Sequence, residues 1–229
     1  MRKVAVYCGT RNVYRDMVPS LKSLLAHTAV DKVYFLIEDD EFPEWLPDCV
    51  ETVNVREQKI FPRPGPNTGR KWTWMVLMRA ALSKVLPREE LVLSLDNDTV
   101  VIRDIGALWE LPIGDALFAA APEPVKSVPD RIYTNLGVAL YNLRALRETG
   151  KDDEVIAALN SRPFPFAEQD ALNALCQGGI YPMPCEYNDC DFTEYSPEPR
   201  IIHFAAERNW QANGLAQMYR GMRWSEILR

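Results

Sequence analysis

Long apolar runs are missing from this chain of 229 residues: none approaches the roughly 18 residues that a membrane-spanning helix needs. The start, Met1-Arg2-Lys3-Val4, leads into a strand-like run and lacks the pattern of a signal peptide. A soluble, cytoplasmic protein is therefore expected. Basic charge is also in short supply, with 26 Lys and Arg against 32 Asp and Glu and a net charge of -6. A dedicated nucleic-acid-binding domain usually needs the opposite balance, so nucleic acid is not an expected partner. The five cysteines (Cys8, Cys49, Cys176, Cys185, Cys190) are odd in number and follow no framework spacing, which predicts reduced thiols. No Gly-x-Gly-x-x-Gly occurs, and Gly65-Pro-Asn-Thr-Gly69-Arg-Lys71 is one residue short of a Walker loop, with Trp72 where Ser or Thr is required. Dinucleotide and P-loop chemistry drop out, and any diphosphate must be held by metal and side chains. Internal repeats and low-complexity tracts are lacking too.

What remains is an ordinary globular composition, 47% hydrophobic and 25% charged, in a length suited to one domain. Residues 3–8 read as a buried strand; Met17, Leu21, Leu24 and Leu25 then recur at helical spacing before a second strand at 32–37. Strand, helix and strand imply a parallel pair. A third strand is expected at 50–55, followed by a Pro- and Gly-rich loop at 61–69. Met75, Met78, Leu82, Val85 and Leu86 mark a helix face stopped by Pro87, which lacks the backbone donor for another turn. Residues 91–95 form a central strand that ends at Asp96-Asn97-Asp98. Later strands are expected at 117–121, 137–143 and 200–204, and helices at 154–159 and 169–176. The pattern is that of an α/β domain with a mixed, mostly parallel central sheet flanked by helices, and residues 183–199 read as an ordered loop or lid over the site.

Asp96-Asn97-Asp98 carries the first chemical signal. In open α/β sheets ligands gather at the carboxyl ends of strands, and two carboxylates one residue apart there suit a divalent cation bridging to a diphosphate. A solvated acidic turn is the plain alternative. Asp96-Asn97-Asp98-Thr99-Val100 also fits the nucleophile motif of haloacid-dehalogenase-like phosphatases, with Asp96 attacking phosphorus and Asp98 as acid/base. Those enzymes usually carry it on the first strand, whereas 95 residues precede it here. His203, after an apolar run, is either a packed core residue or a third ligand beside Asp96 and Asp98. Zinc held by Cys185, Cys190 and His203 matches no ribbon spacing and lacks a fourth ligand.

Several segments, taken in order, resemble the family 8 glycosyltransferases, retaining sugar-nucleotide transferases that include glycogenin and bacterial lipopolysaccharide galactosyl- and glucosyltransferases. The composite runs from Arg79 through Val85-Leu86-Pro87 and the 90–95 strand to Asp96-Asn97-Asp98-Thr99-Val100 and Asp104-Ile-Gly-Ala-Leu-Trp109. Further matches are Tyr7 to Tyr14, Asn135-Leu136-Gly137-Val138, Glu168-Gln169-Asp170, Tyr187-Asn188 and Ile202-His203-Phe204. The resemblance implies a single GT-A-type nucleotide-diphospho-sugar transferase domain over 1–210, with a helical tail at 211–229 packed on it. It implies a hexosyl transfer from a UDP-sugar to an unidentified acceptor hydroxyl, on a glycan or another partner, with Mn²⁺ or Mg²⁺ held by Asp96, Asp98 and His203. Tyr7, Cys8, Gly9, Thr10 and Tyr14 would hold base and ribose, with Asn97 beside the ribose. Arg79, Asn135, Glu168 and Gln169 would surround the donor sugar, Gln169 nearest the back face of the anomeric carbon; Lys71 and Arg208 are candidates for the diphosphate. Glu168 and Asp170 are the obvious carboxylates for a nucleophile, and the family favours same-face attack by the acceptor.

The chain also departs from the family pattern. Thr10 stands where an acidic residue is common, and Glu168 replaces the first Asp of Asp-Gln-Asp. His-x-x-Gly-x-x-Lys-Pro-Trp becomes His203-Phe-Ala-Ala206-Glu-Arg208-Asn-Trp210. The 19 residues after Trp210 largely lack the basic, aromatic tail with which lipopolysaccharide enzymes dock on membranes. A member that binds a sugar nucleotide without turning it over is a further alternative.

Overall fold

The computed structural model describes residues 2–68 and 73–228. Its frame is a seven-stranded sheet of β1 (Val4–Cys8), β2 (Lys32–Ile37), β3 (Val50–Asn54), β4 (Leu91–Leu95), β6 (Phe118–Pro122), β7 (Thr134–Asn142) and β8 (Ile180–Pro182), in the order β3-β2-β1-β4-β7-β6-β8. Pairings β1/β2, β1/β4, β2/β3 and β6/β8 are parallel, and β7 runs antiparallel to both β4 and β6. Two short strands, β5 (Thr99–Val101) and β9 (Ile201–His203), pair antiparallel outside it.

Strand alternation divides the core. Val4 and Val6 of β1 pack with Met78, Leu82 and Leu143 on one face, while Ala5 and Tyr7 pack with Met17, Leu21, Phe35 and Trp109 on the other. Helix α1 (Tyr14–His27) covers the second face. The first is covered by α2 (Leu82–Val85), α3 (Leu143–Thr149), α4 (Lys151–Ser161) and α5 (Ala167–Leu175). Helices α6 (Gly214–Gly221) and α7 (Trp224–Ile227) form a third cluster with Val100 and Phe204, tied to α1 by Lys22 Nζ donating to the Met222 carbonyl (2.5 Å) and by His27 Nε2 with Tyr219 Oη (2.7 Å).

The structure differs from the sequence reading in four places. Residues Trp74–Ala81 wind as a 3₁₀ helix, and only Leu82–Val85 is an α-helical turn, still ending before Pro87. Strand β7 begins at Thr134, three residues before the apolar run, because Thr134 and Asn135 are buried with hydrogen-bond partners of their own. Strands β5 and β8 have three residues each, too few to show a period. Helix α3 is short and framed by local signals: Asn142 Oδ1 accepts from the Ala145 amide (3.0 Å), and Gly150 takes a left-handed φ of 67° beyond its end.

The sheet delivers four chain segments to one edge. The carboxyl ends of β1 and β4 lie beside the start of β7, where the Asp96 amide donates to the Gly137 carbonyl (2.7 Å), and β9 arrives through the Phe204 amide on the Asp98 carbonyl (3.0 Å). Residues 183–199 are an ordered connection along the same edge, pinned by Thr193 Oγ1 on the Asn188 carbonyl (2.7 Å) and by Arg200 with Glu186 (2.8 Å).

Candidate functional site

Asp96 and Asp98 flank the turn after β4, and His203 ends β9, so the pairing of Thr99 with His203 carries the ring to the carboxylates. His203 Nε2 lies 3.4 Å from Asp98 Oδ1 and 3.8 Å from Asp96 Oδ2. One ligating atom from each residue falls within 4.8 Å of the others. The ring rests on Gly137, where a Cβ would stand 2.0 Å from His203 Cε1. Its Nδ1 meets Asn188 Oδ1 at 2.8 Å. Burial pushes the imidazole pKa down, but Asp98 and Asp96 override it and raise the value to about 10; the same pairing, against the opposing effect of burial, holds Asp98 below the usual carboxylate range. Hydrogen bonding to His203 also outweighs burial at the Cys190 thiol and lowers its pKa. Two carboxylates and one imidazole form a hard-to-borderline donor set that suits Mn²⁺ or Mg²⁺. Neither Cys185 nor Cys190 belongs to the cluster, so the zinc alternative finds no support among the described residues.

Arg79 joins this cluster to α5. Its guanidinium bonds Asp96 Oδ1 and Glu168 Oε1 and donates to the Leu136 carbonyl at 3.1 Å. Burial would lower its pKa, but the two carboxylates raise it. Burial in turn raises the pKa of Glu168 and of Asp96 despite the cation between them. A carboxylate engaged by Arg79 is poorly placed as a phosphatase nucleophile, and that alternative is not favoured. Arg79 Nε is buried and has no protein partner.

Gln169 is fixed at both ends of its amide. Its Oε1 accepts from the Leu136 amide (3.1 Å), and its Nε2 donates to Tyr133 Oη (3.1 Å) and Glu123 Oε1 (3.3 Å). Asn135 Nδ2 donates to that same Glu123 oxygen (3.0 Å), and Lys126 pairs with the other (2.7 Å). Asp170 faces away: one oxygen accepts from Tyr133 Oη (2.6 Å), the other from the Phe166 amide (2.9 Å).

On the β1 side, Cys8, Gly9, Thr10 and Asn97 line one cavity with Arg79 and Asp96. Asn97 Nδ2 donates to the Cys8 carbonyl (3.1 Å), which turns its buried Oδ1, without a protein partner, into a lone acceptor. Burial raises the Cys8 thiol to about 12, making it a poor nucleophile. Tyr7 is not brought to the site: strand alternation sends it to the opposite face, against Phe35, with Ser20 Oγ at 3.2 Å from its hydroxyl. Tyr14 is buried and directs its hydroxyl to Asp39 and to the Glu38 amide. Arg208 is exposed on the turn before Trp210, and Lys71 lies outside the described residues.

Sequence reasoning missed Glu123, Lys126, Tyr133 and a role for Asn188. None has a local signature, because each acts by meeting a residue from another segment. Ala206 takes a left-handed φ of 64° at the position where the family pattern has Gly.

The model of the family described as Glycosyl transferase family 8 matches residues 5–212. The chain belongs to that family. Among its relatives, the probable glycosyl transferase Gly of Streptococcus gordonii is 24% identical over 257 residues, covering 98% of this chain and 36% of that protein. The chain spans about a third of the length of the first curated relatives it matches. Among solved structures, the glycosyltransferase GlyE of Streptococcus pneumoniae TIGR4 superposes with a TM-score of 0.75 at 20% identity, over 100% of this chain and 62% of that one. The galactosyltransferase LgtC, solved with donor and acceptor sugar analogues, gives 0.71 at 18% identity, over 98% of this chain and 95% of its own. These likenesses establish the GT-A fold for this family 8 chain. No helix among its described residues is long and apolar enough to cross a membrane.

Proposed function

We propose that the protein is a metal-dependent, retaining glycosyltransferase that moves a hexose from a UDP-sugar to an acceptor hydroxyl. The observation that carries this reading is the cluster of Asp96, Asp98 and His203, set where two adjoining cavities of about 300 and 380 Å³ meet. Asp96, Asp98 and Arg79 line both cavities. The smaller runs to β1, between Cys8, Gly9, Thr10 and Asn97, where a nucleoside would lie; the larger is lined by Glu168, Gln169, Asn135 and Lys126, suited to sugar hydroxyls.

In this reading Asp96, Asp98 and His203 hold Mn²⁺ or Mg²⁺. Such an ion, when bound, neutralises charge on the departing diphosphate. Arg79 holds Asp96 in place. Gln169, immobilised by Leu136, Tyr133 and Glu123, faces the sugar as an amide, which orients but does not attack. Glu168 is spent on Arg79, and Asp170 on Tyr133 and Phe166, so neither is free as a nucleophile. That supports attack by the acceptor on the face the diphosphate leaves, with a phosphate oxygen taking the proton. Five free cysteines agree with a cytoplasmic setting.

Purified protein is expected to bind UDP-sugars in the presence of Mn²⁺ and to hydrolyse them slowly. Both activities should fail in Asp98→Ala. Trapping of a fluoroberyllate adduct on Asp96, or Mn²⁺-independent turnover by Asp98→Ala, would refute the reading.

A further inference from the structure

We infer that Asn188 is the positioning residue for His203, the middle of a buried hydrogen-bond relay that fixes which imidazole nitrogen is free to bind metal. This rests on the metal role proposed for Asp96, Asp98 and His203. The direction of each bond follows from its partners. The Gly137 amide donates to Asn135 Oδ1 (3.0 Å), which sets that atom as an acceptor and leaves Asn135 Nδ2 to donate to Glu123 (3.0 Å). Asn188 must then present its Nδ2 to Asn135, where it reaches Oδ1 at 3.0 Å. Its remaining atom, Oδ1, is an acceptor facing His203 Nδ1 at 2.8 Å, so Nδ1 is the nitrogen that keeps a proton. Nε2 faces Asp98 and Asp96 and is the nitrogen that gives up its proton when a metal binds.

The ring is tightly enclosed. Asn188 is 0% exposed and His203 5%, and Gly137 leaves the ring only the space its own missing side chain vacates. Cys190 also bonds the ring, but a thiol can donate or accept and so fixes no polarity, whereas the Asn188 Oδ1 can only accept. An apolar residue at 188 would take the Oδ1 acceptor from Nδ1 and leave Asn135 Oδ1 with the Gly137 amide alone. The relay reaches further than the metal ligands: Glu123 Oε1 also receives Gln169 Nε2 (3.3 Å), so one carboxylate anchored by Lys126 sets groups on both sides of the larger cavity. Partners of this kind keep a ligating histidine in its binding tautomer.

The test is Mn²⁺ binding, followed by the electron paramagnetic resonance of free Mn²⁺, in wild type, Asn188→Ala and Asn188→Asp. Asn188→Ala is expected to weaken Mn²⁺ binding about 10- to 100-fold, whereas Asn188→Asp, which still accepts from Nδ1 but loses the donor to Asn135 Oδ1, should weaken it clearly less. An unchanged constant in Asn188→Ala, or equal damage in both variants, overturns the relay. Wild type that binds no Mn²⁺ defeats the metal reading itself. A second measurement needs no variant: with two histidines in the chain, nitrogen-15 spectra of the Mg²⁺-saturated protein resolve His203 from His27. They should show a protonated Nδ1 and a bare Nε2 at His203; the opposite tautomer overturns the inference.

Discussion

Gly137→Ala should abolish tight metal binding without replacing a ligand. The backbone of Gly137 is ordinary β-strand, so glycine is not needed there for its conformation; it is needed for the space under His203. An added Cβ would lie 2.0 Å from His203 Cε1, 2.6 Å from Nδ1 and 2.7 Å from Nε2. Carbon atoms in contact sit about 3.5–4.0 Å apart, so ring and strand must separate by roughly 1.5 Å. Strand β7 is held on both sides by β4 and β6, so the ring gives way and loses Asn188 together with its aim at Asp98. Overpacking alone should cost about 1–3 kcal/mol. Affinity should fall by at least the roughly 100-fold at the upper end for a lost supporting partner. With Mn²⁺ at about 1,000 times the wild-type dissociation constant, its stabilisation drops from about 4 to about 1.4 kcal/mol. For a chain of this size that is a difference of roughly 5–10 °C in the Mn²⁺-induced rise of Tm, read in paired melts with and without the ion. Gly137→Ala/His203→Ala should recover the overpacking cost but not the binding, which separates crowding from lost ligation. A Gly137→Ala protein that melts like wild type and binds Mn²⁺ equally well would refute the reasoning.

Three other perturbations follow from the same structure. Arg79→Met leaves the Glu168 carboxylate, whose side chain is 2% exposed, without its cation, and urea unfolding should show a loss of about 3–5 kcal/mol, much of it returned in Arg79→Met/Glu168→Leu. At Asp152, burial pushes the pKa up, but Ser83 Oγ (2.6 Å) and Lys84 Nζ (3.0 Å) hold it below the usual carboxylate value. Because the folded value is the depressed one, its stabilisation is complete above the unfolded pKa of about 3.9 and is lost as pH falls through the folded value; Asp152→Ala should cost about 1–3 kcal/mol at pH 7, a gap that closes below about pH 4. Ala206→Gly relieves a left-handed residue and should stabilise the fold by up to about 1 kcal/mol, whereas Ala205→Gly, at ordinary φ, should destabilise it.

The parts of the fold legible in the sequence were those with a period. Residues 3–8 and 32–37 bracket a helical apolar repeat, and a parallel pair with a covering helix is the only economical reading. Residues 134–136 failed for the opposite reason: Thr134 and Asn135 sit in a fully buried strand yet are polar, since Asn173 and Glu123 satisfy them from other segments. Tyr7 shows a signal that was present but outweighed. Period-two alternation already puts Tyr7 with Ala5, opposite Val6, whereas the resemblance assigns it, with Cys8, Gly9, Thr10 and Tyr14, to the nucleotide.

The same distinction separates ligands from the groups that aim them. Asp96 and Asp98 were visible because a strand end is a place where carboxylates have chemical meaning, and His203 because histidines are scarce. Their supporting residues were not. Asn188, Asn135 and Glu123 work only as a closed chain of donors and acceptors, and closure depends on β7, the 183–199 segment and the 122–133 loop arriving together. A buried amide among apolar strands is nevertheless a local clue: left unpaired it would cost about 1–3 kcal/mol, so its presence in a core implies a partner from elsewhere. In this chain those partners lead from Gln169 to His203, so the residues hardest to read from sequence join the two sides of the site.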